Sequence, residues 1–176
     1  RLEDRKRQLT AEEELLAQEH GRQPQPTGRR VSYELARMLE PDSIIVNDGL
    51  SNGDFVRAYA RRDRPGTYLR TGSSAGGWGS GAAFGAKLAA AGQDVILASG
   101  DGFFMFGAPM AALWAARFHK APFLSIIFVN GTYSTGTALL RATYPDGYAV
   151  RNNNYDGGIF DPAPDFAKLA ETVGGY

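Results

Sequence analysis

Along this chain the apolar residues fall into two spacings, and the alternation between them sets the fold class. Within residues 30–40, Val31, Leu35, Met38 and Leu39 share one helical face, and Pro41-Asp42 ends the run. Residues 43–46 follow as a short β-rich stretch and 67–70 as another. Residues 94–99, centred on Val95, Ile96, Leu97 and Ala98, and residues 123–129 read as continuous apolar strands, with a helix over 108–118 between them. Strands without polar alternation, separated by helices, predict an α/β fold: a parallel sheet flanked by helices on both faces. Ahead of the 94–99 strand, Gly72, Gly76, Gly77, Gly79, Gly81 and Gly85 merge into a small-residue helix over 82–91. Backbone in such a segment approaches a neighbouring helix or a ligand closely.

Outside this core the pattern is weaker. Residues 1–20 are rich in Glu, Arg, Lys and Gln, with Leu2, Leu9, Leu15 and Leu16 as the strong apolar points, and read as a solvated helix. Residues 21–28 carry Pro24 and Pro26 and read as a linker, so the domain proper is expected over 29–176. After Asn130 the periodicity dissolves into an expected long loop over 131–160, including Asn152-Asn153-Asn154, before a last short helix over 164–173. The sequence stops at Gly174-Gly175-Tyr176, where an α/β chain would usually turn into its next strand; a domain truncated at its C-terminus is the expectation. No internal repeat is present.

Composition narrows the function classes. With 176 residues, 43% of them hydrophobic, the chain can bury a substantial core. Lys plus Arg number 19 and Asp plus Glu 19, which argues against a nucleic-acid or anionic-membrane partner and leaves any anion site to local geometry. The absence of cysteine removes disulfides, thiolate catalysis and zinc ribbons, and suits a reducing, cytoplasmic setting. No apolar run approaches the roughly 18 residues that span a bilayer.

Candidate chemistry collects at two strand ends, Gly100-Asp101-Gly102 and Asn130-Gly131-Thr132-Tyr133. In open parallel sheets ligands bind outside the carboxyl ends of strands, so both loops are expected to face one site. Asp101 offers a hard anionic oxygen, Asn130 an amide oxygen and the following loop its carbonyls, the donor type that magnesium accepts when phosphates complete its shell. Gly102 and Phe103 sit where a helix-side turn presents backbone N–H groups to an anion. His20 and His119 read as solvated or dipole-placed, and Trp114, midway along a helix, as core.

The spacing makes this specific. Gly100-Asp101-Gly102, then residues 103–129, then Asn130 resembles the cofactor motif of thiamine-diphosphate enzymes. The resemblance runs from about 31 to 176 and is closest to the carboxy-terminal domain of the acetolactate synthase, benzoylformate decarboxylase and pyruvate decarboxylase superfamily. Residues 76–90 are similar to that family's glycine loop and small-residue helix, and 111–130 to its helix-strand stretch ending in asparagine.

The resemblance implies a thiamine-diphosphate-binding fold in which Asp101, the Asn130 side chain and the Thr132 carbonyl hold magnesium. It implies cofactor contacts from Gly76, Gly77, Trp78, Gly100, Gly102 and Phe103, with Tyr133 beside the diphosphate. Ser51 and Asn52 would approach the diphosphate from the other side, and the Ser74 carbonyl would accept the aminopyrimidine amine. Two positions depart from the family. Val129 replaces the first asparagine of the usual pair, and Gly76 replaces a bulky residue that props the cofactor, leaving Trp78 to take that task or the cofactor held less firmly.

No catalytic residue is expected in the chain itself. In the family the activating glutamate comes from a separate pyrimidine-binding domain, of the same or a neighbouring subunit. The implied whole is a homodimer or homotetramer that decarboxylates or carboligates 2-oxo acids, with a noncatalytic binding or regulatory module as the alternative. A generic phosphate loop over 72–85 fails, since neither the dinucleotide fingerprint nor the Walker spacing is met.

Overall fold

The computed structural model describes residues 2–72 and 75–176. Helix α1 (Leu2–His20) precedes α2 (Gly28–Met38), β1 (Ile44–Asp48), α3 (Gly53–Ala60), β2 (Tyr68–Leu69) and α4 (Gly79–Ala89). Then come β3 (Val95–Gly100), α5 (Asp101–Phe106), α6 (Met110–Phe118), β4 (Leu124–Phe128), α7 (Ser134–Thr143), α8 (Tyr148–Arg151) and α9 (Phe166–Glu171).

The four strands form one sheet in the order β2-β1-β3-β4, with every pair parallel. Side-chain alternation splits the core in two. Ile45, Ile96 and Ala98 face Leu35 of α2 and Val56 and Ala60 of α3, while Ile44, Val46, Val95 and Leu97 face Ala83 of α4 and Phe104 of α5. This is the expected parallel sheet covered on both faces. Asn47 stabilises the turn after β1 from inside: its amide donates to the Gly53 carbonyl at 2.8 Å and the Tyr68 hydroxyl at 2.6 Å, and its Oδ1 accepts from the Gly49 N–H at 3.2 Å.

Helix α2 starts where Thr27 caps it, the side chain accepting from the Arg30 N–H. The charged helix α1 lies against this part of the fold: Glu13 pairs with Arg29 and also accepts from the Tyr59 hydroxyl at 2.8 Å, and Ala17 is fully buried.

The structure corrects two local expectations and adds a helix that the sequence reading did not address. Residues 131–160 are not one loop but contain α7 and α8, which have no buried residue and so leave little hydrophobic pattern in the sequence. Helix α3 is present between β1 and β2, where only eight residues carry it. Trp114 is 57% exposed, stacked on Phe118 with ring centroids 5.3 Å apart on the outward face of α6, and is not a core residue.

Candidate functional site

The strand order reverses direction between β1 and β3: the chain leaves β1 for β2 on one side and then crosses to β3 on the other. Such a reversal opens a crevice at the carboxyl ends of the two strands, because their connections depart to opposite faces. Asp48 closes β1 there, in register with Ser99, one residue before the end of β3. Asp101 follows as the first residue of α5.

Asp101 is 3% exposed. One carboxylate oxygen accepts from the Gly102 N–H at 2.8 Å; the other accepts from the N–H groups of Asn130 at 2.9 Å and Gly131 at 2.7 Å. The two sequence motifs are therefore joined at a single carboxylate. Asn130 is exposed, and its Oδ1 accepts from the Thr132 N–H at 2.9 Å and the Thr132 hydroxyl at 3.2 Å. The amide oxygen is held toward the loop that follows. Among the described residues no backbone N–H donates to the Thr132 carbonyl. Thr132 pairs with Ile159 in an isolated bridge, and the Tyr133 ring meets Phe160 edge to face at 4.6 Å.

Gly102 is required by this arrangement. A Cβ there would stand 2.7 Å from the Tyr133 ring, closer than real Cβ contacts come. Gly100 is the residue ahead of α5 and has open space around it. Phe103, half-buried, lies against Gly76.

On the other side of the crevice, one Asp48 oxygen accepts from the N–H groups of Gly77 at 3.0 Å and Gly79 at 3.1 Å, tying the glycine-rich loop to the end of β1. Its second oxygen, Oδ1, is buried with no hydrogen-bond partner among the described residues. Loss of water around the carboxyl pushes its pKa above the ordinary aspartate value, and the Gly79 and Gly77 N–H groups oppose that rise. Sequence reasoning did not single out Asp48; an acid at the end of a strand carries no signal until the glycine loop is seen folded onto it.

The remaining expected residues are less concentrated. Ser51 is exposed in the turn after β1. Asn52 precedes α3 without capping it, and its side chain packs against Gly28 at the start of α2. Trp78 precedes α4 and packs against the core cluster of Val46, Leu97 and Phe104, its indole N–H buried without a described partner. Ser74 lies outside the described residues.

Taken together, the described loops form a continuous rim: Asp48 to Gly77 and Gly79, Gly76 to Phe103, Gly102 to Tyr133, and Asp101 to Asn130 and Gly131. These contacts gather the Asp48 and Asp101 carboxylates, the Asn130 loop and the first turn of α5 at the carboxyl ends of the strands.

Comparison with known proteins identifies the family. The family described as "Thiamine pyrophosphate enzyme, C-terminal TPP binding domain" matches residues 49–176. Benzoylformate decarboxylase of Pseudomonas aeruginosa is 33% identical over 119 residues, covering 67% of this chain and 21% of that protein. The acetolactate synthase large subunit of Mycobacterium tuberculosis is 33% identical over 123 residues, covering 69% of this chain and 22% of that protein. This chain thus spans about a fifth of the length of these relatives.

Among solved structures, a thiamine diphosphate-dependent 4-hydroxybenzoylformate decarboxylase of Rhodococcus jostii superposes with a TM-score of 0.72 at 29% identity, over 85% of this chain and 26% of that one. A benzoylformate decarboxylase of Polynucleobacter necessarius, with a TM-score of 0.70 at 18% identity over 88% of this chain and 28% of that one, shares the fold. The chain belongs to the thiamine pyrophosphate enzyme family, as its C-terminal TPP-binding domain.

Proposed function

We propose that the chain anchors the diphosphate of thiamine diphosphate through a magnesium ion held by Asp101, the Asn130 amide oxygen and the Thr132 carbonyl. What supports this reading is the buried Asp101 carboxylate, which takes the Asn130 and Gly131 N–H groups on one oxygen and so brings both halves of the motif to one point. The residues fit the group in donor type, with the Thr132 hydroxyl having to turn away from Asn130 Oδ1 to free it for the metal. The donors are hard oxygens, the Thr132 carbonyl is not consumed by the backbone, and the space around Gly100 is open. Among the described residues no cluster of three or more His, Cys, Asp or Glu side chains forms, so a single carboxylate and neutral oxygens would leave the remaining positions to phosphates and water. In the first turn of α5, Phe103 would offer its N–H to the diphosphate, and Gly102, whose own N–H is held by Asp101, would leave room for it to approach.

When bound, the cofactor supplies the nucleophilic carbon and the electron sink for cleaving or forming a bond next to a 2-oxo group. This chain's own residues bind and orient it; none is assigned a catalytic proton transfer. The complete protein is proposed to act on 2-oxo acids as a decarboxylase or carboligase. A pyrimidine-binding domain of the same or a neighbouring subunit would supply the activating glutamate, in a homodimer or homotetramer. No helix among the described residues is long and apolar enough to cross a membrane, and a cytoplasmic location is part of the proposal.

Calorimetric titration of thiamine diphosphate, with and without magnesium, tests the reading. Binding is expected only with the metal, and Asp101→Ala is expected to weaken it at least about a hundredfold, as loss of a charged ligand and its hydrogen bonds would. Metal-independent binding, retained in the variant, would overturn it, and equal affinity for ADP would point to a generic nucleotide site.

A further inference from the structure

Helix α1 is fastened to the fold by polar side chains and not by its leucines. Leu2, Leu9, Leu15 and Leu16 are all exposed. Thr10, Glu13, Ala17 and His20, at the three- and four-residue spacing of one helix face, meet the fold instead. Thr10 Oγ1 accepts from the Arg61 guanidinium, Glu13 pairs with Arg29, Ala17 is fully buried, and the His20 ring lies 3.1 Å from the Thr27 hydroxyl.

Arg29 is the centre of this attachment. Its side chain is 16% exposed, and its guanidinium pairs with Glu13, donates to the Tyr59 hydroxyl at 3.2 Å and stands 4.7 Å over the Phe55 ring. Tyr59, itself buried, donates in turn to Glu13, whose carboxylate and main-chain oxygens both lie at 2.8 Å. Beside Arg29, Gly28 packs so closely on Asn52 that a Cβ there would overlap the Asn52 amide oxygen. Asn52, Phe55 and Tyr59 stand at i, i+3 and i+7 and share one face of α3, while Val56 and Ala60 are buried against the sheet. Helix α3 is thus clamped between the sheet and a clasp formed by Glu13, Gly28 and Arg29, and its first residues leave the turn that follows β1 at the crevice.

Resting on the proposed function, we propose that Glu13 and Arg29 are positioning residues for the diphosphate site: their clasp with Tyr59 sets the turn of residues 49–52, and with it the affinity for the diphosphate. Both act through α3 and not by contact with the ligand. The turn depends on such support. Asn47 pins its two ends, Gly49 and Gly53, from inside, but between them Ser51 is exposed and Asn52 does not cap α3. Contact with Gly28 is what places the Asn52 side chain. A partly buried ion pair adds little net stability over an apolar contact of its size, because both charges lose water; what the planar guanidinium adds is direction. Glu13 and Arg29 also lie outside residues 49–176, the part that matches the family.

The test uses the protein at its full natural length, with inorganic pyrophosphate and thiamine diphosphate titrated in magnesium well below the melting temperature. Glu13→Gln, Arg29→Met and the double variant break the clasp; Arg61→Ala releases α1 at Thr10, away from the clasp, as the control. Each clasp variant is expected to weaken both ligands about fivefold, the scale of coupling between linked sites. The double variant should bind no more weakly than Arg29→Met, since one path is then cut twice. Arg61→Ala should leave both affinities unchanged. Amide exchange at Leu50, Ser51 and Asn52 should rise in the clasp variants while β3 keeps its protection. Gly28→Ala reaches the turn directly: its helical backbone accepts a side chain, yet the added methyl displaces Asn52, so pyrophosphate should bind more weakly with no loss of melting temperature.

Clasp variants that melt lower but bind both ligands as the wild type does would overturn the proposal and leave the clasp a structural contact only. So would losses that add in the double variant, an equal loss in Arg61→Ala, or unaltered affinity in Gly28→Ala. A wild type that binds neither ligand would sink the functional reading itself, and the positioning role with it; a wild type that binds both, with the clasp variants unaffected, sinks the positioning role alone.

Discussion

The residues of β1 and β3 and the residues after Asn130 contribute to the same site from opposite structural conditions. All five residues of β1 and the first five of β3 are buried, whereas α7, α8 and α9 contain no buried residue. The first region is held by side chains on both faces of a sheet; the second is held at a few points. Those points include the Asp101 carboxylate, the Tyr133 ring on Phe160, the bridge from Thr132 to Ile159, and Phe166 against Phe104 at 5.4 Å. Segments with few buried contacts open at low free energy. The site thus joins a rigid half to a half whose order rests on individual hydrogen bonds, and Asp101 is the joint.

The largest expected effect therefore comes from removing that joint. In Asp101→Ala, three N–H groups lose a charged acceptor, at a cost of about 3 kcal/mol once partial replacement by water is allowed. Because Asn130 and Gly131 begin the weakly held region, the loss should be uneven. Hydrogen exchange of the amides at 130–133 is expected to accelerate about a hundredfold, while β1 amides keep most of their protection. Uniform acceleration through β1 and the 130–133 loop would mean that the two regions unfold as one unit and that the contrast is only one of packing.

A smaller effect is expected on the rigid side, at Asp48. Burial raises the pKa of this carboxyl, so its ionisation costs more in the folded chain than in the unfolded one. The sign follows: its contribution to stability is full below the ordinary value near 3.8 and is lost as pH rises through the higher folded value. Asp48→Asn carries no such charge. Across that window the stability of the variant relative to wild type is expected to rise with pH, measured by urea denaturation at successive pH values. A difference independent of pH would show that the carboxyl titrates normally. Asp48→Ala, by contrast, leaves the Gly77 and Gly79 N–H groups without their acceptor and should cost about 2 kcal/mol at neutral pH.

The same contrast explains what the sequence disclosed. β3 was legible because Val95, Ile96, Leu97 and Ala98 are buried on alternate faces and need to be apolar throughout. Helix α7 was not, since Leu139 is 67% exposed and no side chain of the helix is fully buried, which leaves hydrophobic periodicity little to report. Trp114 misled for the related reason that a mid-helix aromatic can stack on its neighbour Phe118 and still face outward. That Asp101 and Asn130 lie together was legible because their spacing reflects a fixed helix-and-strand connection between two adjacent strand ends. Asp48 and the fit of Phe103 onto Gly76 depend on contacts between separate loops, and no local pattern encodes those.

The smallest expected effect tests whether the weak region is also divided within itself. Asp165 caps α9, its carboxylate accepting from the Lys168 N–H at 3.1 Å and facing the Lys168 ammonium at 3.2 Å. The Lys168 backbone N–H first, and then the Lys168 side chain, hold the Asp165 carboxyl below the ordinary aspartate value. A lowered acid stabilises above its unfolded value, and that contribution is lost as pH falls through the folded one. At neutral pH, Asp165→Ala should therefore speed exchange of the Lys168 and Leu169 amides, which belong to the first turn of α9. The main unfolding transition should stay in place, because α9 leans on the core through Phe166 and Leu169 without burying either. Below the lowered folded value, wild type and variant should exchange alike, since the cap is then protonated in the one and absent in the other. A shift of the main transition at neutral pH would instead couple α9 to the sheet, and the boundary between the two regions would have to be moved past it.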